Sequence, residues 1–242
     1  MTGKSDSELE RFQGAAVAGD GGTVRPLPFG KHATVLLGGL AHYLLGRKTP
    51  PRILCDDYLA RMMPRLSGKV VELGGRKRFN YRSLATSASD YIVTNIEDDL
   101  AQYDEYANVL DLPYPDGSVD GFVCVALLEH VPDPKKALSE VQRCLRPGGR
   151  CLLVVPAMFP RNPAPEEYFR FSPTALVLLL DKSRLLDLTV LGGLLTLNAL
   201  ALRGLFLRPI GIVVYLLDVV FGMSNTCNSY PVLIGVLAEK RV

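Results

Sequence analysis

Through the middle of the chain, short apolar runs alternate with segments in which apolar residues recur at helical spacing. The runs are Lys69–Gly75, Tyr91–Ile96, Val119–Leu127 and Arg150–Val155. Runs of this length that are apolar on both faces are typical of strands buried in a parallel sheet. Between the last two runs, Asp133 followed by proline and by helical spacing to Leu145 predicts a capped helix. This alternation predicts an α/β domain with a doubly wound, mostly parallel sheet.

The chain ahead of the first predicted strand has two parts. Residues 1–29 are polar and rich in glycine, which predicts a mobile lead-in. Helical spacing in His32–Leu45 and in Asp56–Leu66 predicts two helices, separated by the prolines at positions 50 and 51. We therefore interpret residues 30–242 as a single domain whose first part, 30–68, is helical.

Residues 174–242 are unusually apolar. We expect a strand near Leu185–Leu191, two apolar helices, and a last strand from Val232 to Ala238. Charged residues interrupt the helical stretch, and a charge at the bilayer centre costs roughly 2.5 to 3.5 kcal/mol, so a membrane span is disfavoured. The helices fit ordinary core packing, a lid, a homodimer face or a peripheral membrane contact.

Composition removes several classes of protein. Hydrophobic residues make up 48% of the 242 residues, which is enough for a globular core. The 27 basic and 25 acidic residues are too balanced for a duplex-binding protein, so no nucleic-acid partner is expected. Five cysteines lack CxxC spacing, which predicts reduced thiols, and the three histidines lie too far from any cysteine pair to suggest a metal site. The first residues lack the pattern of a secretory signal, so the expected location is the cytoplasm.

Paired glycines end the first predicted strand. Gly74 and Gly75 stand where ligands bind in doubly wound sheets, and glycine lets the backbone come close to a ligand. A glycine pair also serves as an ordinary turn, so the specific signal is the later segment Leu112–Pro156. It reads LPYPDGSVDGFVCVALLEHVPDPKKALSEVQRCLRPGGRCLLVVP. This segment resembles class I S-adenosylmethionine-dependent methyltransferases of the type 11-like group, which act on small molecules or belong to sugar gene clusters.

The resemblance covers residues 69–173, the cofactor-binding half, and includes Pro165–Pro173, which is similar to a segment of methyltransferases from surface-polysaccharide clusters. It implies a Rossmann-like methyltransferase fold with a seven-stranded sheet, an apolar helical insertion before the last strand, and S-adenosylmethionine as the cofactor. The cofactor-binding residues that it implies are Glu72, Gly74, Gly75, Asn95, Ile96, Asn108, Val109 and Ala126.

The same resemblance implies that these residues contact different parts of the cofactor. Glu72 and Gly74 would border the methionine portion, and Ala126 would face the sulfonium. Asn95 falls where relatives place an acid that accepts hydrogen bonds from the ribose hydroxyls. Asn108 falls where relatives have an aspartate that receives the adenine amino group.

The chain departs from the family pattern at four of its positions. Arg76 and Arg78 replace later glycines of the first turn, and this basic run fits either a solvated turn or a site for a carboxylate or phosphate. Asn95 and Asn108 replace acids, and an amide accepts fewer hydrogen bonds than a carboxylate. Asn95→Asp is therefore expected to tighten cofactor binding, unless Glu97 holds the ribose.

Methyl transfer to a hydroxyl needs an in-line approach and a base. His130, in the LEH turn, is the candidate catalytic residue, although a structural hydrogen bond is the other interpretation. Glu129 beside it fits a cap of the turn. Tyr168 and Arg170 are candidates for binding the substrate, and they equally fit the start of a helix that packs on the core.

These features predict a methyltransferase that moves a methyl group from S-adenosylmethionine to an oxygen, or as second choice a nitrogen, of a small-molecule or sugar-containing acceptor. Biosynthesis of a secondary metabolite or a surface glycan is the expected setting. The alternative is a methyltransferase-like domain with a degenerate cofactor motif that acts as a non-methylating enzyme or as a binding module.

Overall fold

A computed structural model describes residues 25–26, 48–96, 100–160, 165–194 and 231–241, and a few single positions between 196 and 213. Its strands are β1 Arg25–Pro26, β2 Gly68–Leu73, β3 Ala88–Asn95, β4 Glu105–Tyr106, β5 Val119–Val125, β6 Leu145–Pro156, β7 Ser183–Leu191 and β8 Leu233–Lys240. Its helices are α1 Pro50–Met62, α2 Pro134–Cys144 and α3 Pro173–Leu179.

The eight strands form one sheet in the order β1-β7-β8-β6-β5-β2-β3-β4. Strands β2 to β6 pair in parallel, whereas β8 is antiparallel to both β6 and β7. The prediction of a doubly wound, mostly parallel sheet of the Rossmann-like methyltransferase type is confirmed. The two-residue strand β1 lies inside the expected lead-in and pairs in parallel with β7, so the sheet has one strand more than the seven predicted.

Chain order reverses on the two sides of β2. This strand pairs with β3 on one side and with β5 on the other. In open α/β sheets such a reversal leaves a crevice at the carboxyl ends of the strands, where ligands bind. Leu73 and Val125, the last residues of β2 and β5, therefore mark the expected ligand site.

Helices cover both faces of the sheet. Leu54 and Leu59 of α1 belong to the same buried cluster as Leu152. On the other face, Leu138 of α2 belongs to the cluster that contains Leu153. Successive side chains of a strand point to opposite faces, so neighbouring residues of β6 serve the two cores.

Helix α1 begins earlier than the sequence pattern predicted. It starts at Pro50 rather than at Asp56, and a 3-10 turn follows it at Met63–Arg65. Proline is tolerated in the first turn of a helix because the backbone N–H groups there have no partner inside the helix. The two prolines therefore form the first turn of a helix.

Tyr58 fixes α1 to the sheet. Its hydroxyl donates to Asp187 Oδ1 of β7 at 3.0 Å, and its ring lies so close to Gly235 of β8 that no Cβ would fit there. Helix α1 is thereby held against β7 and β8.

Other sequence expectations have mixed outcomes. Helix α2 follows Asp133, whose carboxylate accepts the N–H of Lys136 at 2.9 Å, which confirms the predicted cap. The predicted helix His32–Leu45 lies outside the described residues, as does most of the apolar stretch between β7 and β8. Within the residues that are described, no helix is long and apolar enough to cross a membrane.

Candidate active site

A cavity of about 1030 Å³ opens at the carboxyl ends of β2, β3 and β5. His130 lines it, together with most of the residues predicted to bind the cofactor. Those residues are Gly74, Asn95, Ile96, Asn108, Val109 and Ala126. Further wall residues come from α1 and from the segments after β5 and β6. They include Lys48, Thr49, Pro51, Arg52, Cys55, Glu129, Pro156, Phe159 and Glu167.

Gly74 leaves the backbone open toward the cavity. Its φ of +73° lies in the left-handed region, where any residue with a Cβ is strained. A Cβ at this position would also lie 2.9 Å from Leu127 Cδ1. Glycine is therefore the residue that keeps this stretch of backbone both in its conformation and accessible to a ligand.

Glu72 and Gly75 lie behind the cavity wall instead of on it. Glu72 is 3% exposed, and its Oε2 accepts from the Tyr91 hydroxyl at 2.6 Å and from the Tyr81 N–H at 3.0 Å. Burial raises the pKa of this carboxyl. A Cβ on Gly75 would lie 2.7 Å from Glu72 Oε1. The pair supports the turn after β2 from behind. The contact of Glu72 with the methionine portion of the cofactor stays a prediction.

Asn95 uses both ends of its amide locally. Its Nδ2 donates to the carbonyl of Gly75 at 3.1 Å, and its Oδ1 accepts the N–H of Ile96 at 2.8 Å. The side chain therefore ties the end of β3 to the turn after β2, which is a role that the sequence pattern did not reveal.

This bonding reverses the expectation for Asn95→Asp. A carboxylate would place an acceptor against the Gly75 carbonyl, where Nδ2 now donates. Loss of one hydrogen bond of about 1 kcal/mol, with added repulsion, should raise the Kd for S-adenosylhomocysteine about fivefold or more. Calorimetric titration measures this, and Asn95→Ala separates the lost donor from the added charge. Tighter binding by the aspartate variant would show that the acid reaches the ribose after all.

The cavity wall at Ile96 and Asn108 combines an apolar surface with a local turn. Ile96 is 60% exposed although it is aliphatic, and it lies on the cavity wall with Val109. Asn108 Oδ1 accepts the N–H of Leu110 at 2.9 Å, so part of its accepting capacity is already used. An exposed aliphatic side chain on a cavity wall is suited to pack against the flat face of an aromatic ring.

Ala126 is strained at the point where β5 ends. Its φ is +50°, which is uncommon for a residue other than glycine, and its N–H donates to the Val154 carbonyl at 2.8 Å. Such strain costs on the order of 1 to 2 kcal/mol and is concentrated at functional sites. The backbone at Ala126 is thus held in an unusual shape at the cavity floor.

His130 has a defined tautomer when it is neutral. Its Nδ1 lies 2.9 Å from the carbonyl oxygen of Glu166, and a carbonyl only accepts, so Nδ1 carries the proton. Nε2 then keeps its lone pair and lies 3.9 Å from Glu129 Oε1. This arrangement fits both a structural hydrogen bond and a role as base, the two interpretations left open by the sequence.

Glu129 is a second ionisable group on the wall. It is 3% exposed, and within the described part of the chain its Oε2 has no hydrogen-bond partner. Burial raises the pKa of Glu129 to about 7. The sequence suggested a cap of the turn, and no residue pattern signals that this carboxylate is buried.

The predicted substrate residues lie one step away from the wall. Tyr168 is half exposed, and its N–H donates to the Glu129 carbonyl at 2.8 Å. Arg170 forms an ion pair with Glu167 at 2.5 Å between Nη2 and Oε2. Neither lines the cavity, whereas Glu167, which precedes Tyr168, does. The roles of Tyr168 and Arg170 in binding the substrate stay a prediction.

Basic residues of α1 were missed because the helix was predicted to start after them. Arg52 lines the cavity, stacks over the Tyr81 ring at 5.5 Å and pairs with Asp56 at 2.9 Å. Lys48 pairs with the same carboxylate at 2.7 Å. Arg76 lines the cavity as well, whereas Arg78 stacks over a phenylalanine ring away from it.

Sequence comparisons point to one class of enzyme. Residues 67–153 match the family model for a methyltransferase domain. An O-methyltransferase of Aspergillus sclerotiorum is 37% identical over 67 residues, which is 28% of this chain and 25% of that protein. The 27-O-demethylrifamycin SV methyltransferase of Amycolatopsis mediterranei is 33% identical over 116 residues, or 40% of this chain and 42% of that protein. The chain thus spans less than half the length of these curated relatives.

Solved structures agree on the fold. An S-adenosylmethionine-dependent methyltransferase from Archaeoglobus fulgidus superposes with a TM-score of 0.55 at 16% identity, covering 78% of this chain and 94% of that one. A geranyl diphosphate methyltransferase, solved with geranyl diphosphate and sinefungin, superposes with a TM-score of 0.52 at 13% identity, covering 77% of each chain.

The sheet topology defines a Rossmann-like domain. Its candidate ligand site is the cavity at the carboxyl ends of the strands, where the strand order reverses. The matched region assigns the family: residues 67–153 form a methyltransferase domain of the class I S-adenosylmethionine-dependent superfamily. This confirms the predicted superfamily and the predicted cofactor. The open backbone at Gly74 and the exposed aliphatic surface of Ile96 fit that cofactor. Among the described residues, no cluster of metal-ligating side chains occurs.

Proposed function

We propose that the protein transfers a methyl group from S-adenosylmethionine to an oxygen, with nitrogen as second choice, of a small-molecule or sugar-containing acceptor. The observation that carries this proposal is a single cavity that holds both the Gly74 cradle and two groups able to take a proton, His130 and Glu129. The names of two matched relatives, an O-methyltransferase and a demethylrifamycin methyltransferase, support oxygen as the acceptor atom. Biosynthesis of a secondary metabolite or a surface glycan fits these relatives.

In this proposal, different residues of the chain have different roles in methyl transfer. When bound, the cofactor supplies an electrophilic methyl group. Gly74 and Ala126 shape the backbone beneath it, and Ile96 with Val109 offers an apolar surface to its base. His130 presents the lone pair of Nε2 for a proton.

Calorimetric titration with S-adenosylmethionine and S-adenosylhomocysteine tests the proposal, followed by release of S-adenosylhomocysteine with a panel of alcohols, phenols, sugars and amines. Micromolar binding and acceptor-dependent release are expected. The alternative, a binding module or non-methylating enzyme, is favoured by Arg76 and Arg78 in place of glycines. Absence of binding to either compound would support that alternative.

We propose further that Arg52 holds the carboxylate of the cofactor's methionine portion. Arg52 and Lys48 share the single carboxylate of Asp56, so a net positive charge remains on this part of the wall. A charge-assisted hydrogen bond is worth about 1.5 to 3 kcal/mol, so Arg52→Met should raise the Kd for S-adenosylhomocysteine about tenfold or more. The Kd for 5′-methylthioadenosine, which lacks the amino-acid tail, should not change.

A matched control is Arg78→Met, which removes a cation of the turn after β2 that does not line the cavity. This variant should bind both compounds like the parent. Equal loss of both ligands in Arg52→Met would instead mean that the change disturbs the whole cavity.

The apolar residues between β7 and β8 carry a separate proposal, which is association as a homodimer or with a membrane surface. Ile210 and Val213, two of the few described positions there, are 54% and 57% exposed. Large aliphatic side chains with this exposure are commonly found at contact surfaces when they form a patch.

A further inference from the structure

The cavity extends beyond the strands that carry the predicted cofactor residues. Gly74, Asn95 and Ala126 stand where β2, β3 and β5 end. Two other wall residues, Pro156 and Leu233, are the last residue of β6 and the first of β8, and they are partners in the sheet. The strand order puts β6 and β8 on the side of β5 away from β3. From β3 to β8 the cavity therefore spans four strand spacings, or about 19 Å.

The size of the cavity leaves room for a second molecule beside the cofactor. Pockets for one drug-sized ligand commonly measure roughly 300 to 1,000 Å³, and this cavity measures about 1030 Å³. The predicted cofactor residues lie at the ends of β2, β3 and β5. The part of the cavity beside β6 and β8 is thus available to another ligand. We call this part the distal end, and the wall residues that define it are Phe159, Pro165, Glu167 and Leu233.

The accessible surface of the distal end is mostly apolar. Phe159 is 37% exposed although it is aromatic. Pro165 is exposed as well, and Leu233 is half-buried. Ligand sites are typically lined by apolar and aromatic side chains of this kind, with few polar groups among them. These three side chains therefore offer contact to an apolar ligand.

Backbone hydrogen bonds hold both sides of the distal end. Met158, which precedes Phe159, donates its N–H to the Pro231 carbonyl at 2.9 Å. On the other side, the N–H of Tyr168 donates to the Glu129 carbonyl at 2.8 Å. The two segments are thereby fixed to the sheet and to the turn after β5, so the apolar wall is formed before a ligand binds.

The charges of the cavity are unevenly placed. At the distal end, Glu167 Oε2 is paired with Nη2 of Arg170 at 2.5 Å. The cations on the wall lie elsewhere: Arg52 stacks over Tyr81 in the segment between β2 and β3, and Arg76 belongs to the turn after β2. Among the described residues that define the distal end, no unpaired cation is present to receive an anionic acceptor.

We propose that the distal end binds the methyl acceptor, and that this acceptor is an uncharged, apolar hydroxyl compound of the phenol class, with Phe159 as a specificity-determining residue. This inference rests on the proposed function and narrows its acceptor class. A phenol ring packs on Phe159 in an offset or edge-to-face arrangement. A sugar would instead turn several hydroxyls toward an apolar wall, and polar groups that lose water without gaining partners weaken binding.

Binding of probe compounds tests the inference independently of turnover. The protein is saturated with S-adenosylhomocysteine and then titrated calorimetrically with naphthol, with hydroxynaphthoate as its carboxylate-bearing analogue, and with methyl glucoside. Naphthol should bind at least about tenfold more tightly than either of the others, because the anion meets no unpaired cation and the sugar meets few polar partners.

Substitution of Phe159 locates the binding site. Phe159→Ser should raise the Kd for naphthol at least about tenfold through loss of the ring contact, and Phe159→Leu should raise it less. Phe169→Ser is the matched control, because Phe169 is 39% exposed on the neighbouring segment and does not line the cavity. All three variants should bind S-adenosylhomocysteine like the parent.

The outcomes separate this inference from the proposed function. Absence of naphthol binding to the saturated protein, tighter binding of hydroxynaphthoate or methyl glucoside, or an unchanged naphthol Kd in Phe159→Ser would overturn the inference. Wild-type protein that binds neither S-adenosylmethionine nor S-adenosylhomocysteine would refute the proposed function itself.

Discussion

Gly74→Val is expected to abolish binding of S-adenosylhomocysteine while the domain stays folded. A β-branched residue at a φ of +73° is strained, and its Cβ would lie 2.9 Å from Leu127 Cδ1 at the edge of the cavity. The added methyl groups would occupy the space through which the backbone approaches a ligand. We expect a Kd increased by at least about 100-fold, equivalent to roughly 3 kcal/mol, in calorimetric titration.

Gly117→Val is the matched control for this substitution. Gly117 has a φ of +67°, so valine meets nearly the same backbone strain there, but its Cβ would have only a distant neighbour at 3.9 Å. Gly117 does not line the cavity. Both variants should lower the Tm by a similar amount, and only Gly74→Val should lose the ligand. Wild-type affinity in Gly74→Val would place the cofactor elsewhere.

The sequence predicts the sheet well because burial on both faces leaves a strong pattern. The runs that became β2, β3, β5 and β6 are predominantly apolar and largely buried, and the glycines after β2 mark where the strand ends. The crevice follows from topology alone, since the reversal of strand order at β2 fixes the ligand site. Six of the cofactor-binding residues that the resemblance predicted therefore line one cavity.

Residue type alone could not predict which side chains line the cavity wall and which lie in the layer behind it. Glu72 and Glu129 are both glutamates near strand ends. Glu72 accepts hydrogen bonds from two tyrosines, whereas Oε2 of Glu129 is buried without a partner among the described residues. The sequence indicated Asn95 as a weakened ribose ligand and gave no sign that its amide ties the end of β3 to the turn after β2. Arg52 was missed because prolines were interpreted as a helix boundary, although proline also starts helices.

Glu129→Gln is expected to stabilise the protein at alkaline pH and not at acidic pH. Burial raises the pKa of Glu129 from 4.5 to about 7, so the folded state holds this proton more tightly than the unfolded state. The wild-type protein therefore has the full stability of the neutral acid below about pH 4.5, and it loses stability as the pH rises to about 7. Glutamine does not titrate, so the variant escapes this loss.

The pH dependence, rather than the absolute difference, is the decisive quantity, because the glutamine amide would also be buried without a partner. Between pH 5 and pH 8 the free energy of unfolding of the variant should gain about 2.5 kcal/mol relative to wild type, since each pKa unit corresponds to about 1.4 kcal/mol and part of the loss already occurs below pH 5. For a chain of this size that is a relative change in Tm of roughly 5 to 10 °C. Denaturant unfolding at four pH values measures it, with the exposed Glu166→Gln as the control that should show no such trend. Parallel pH profiles for wild type and Glu129→Gln would mean that Glu129 stays ionised through this range, and that its open oxygen is satisfied in solution by water.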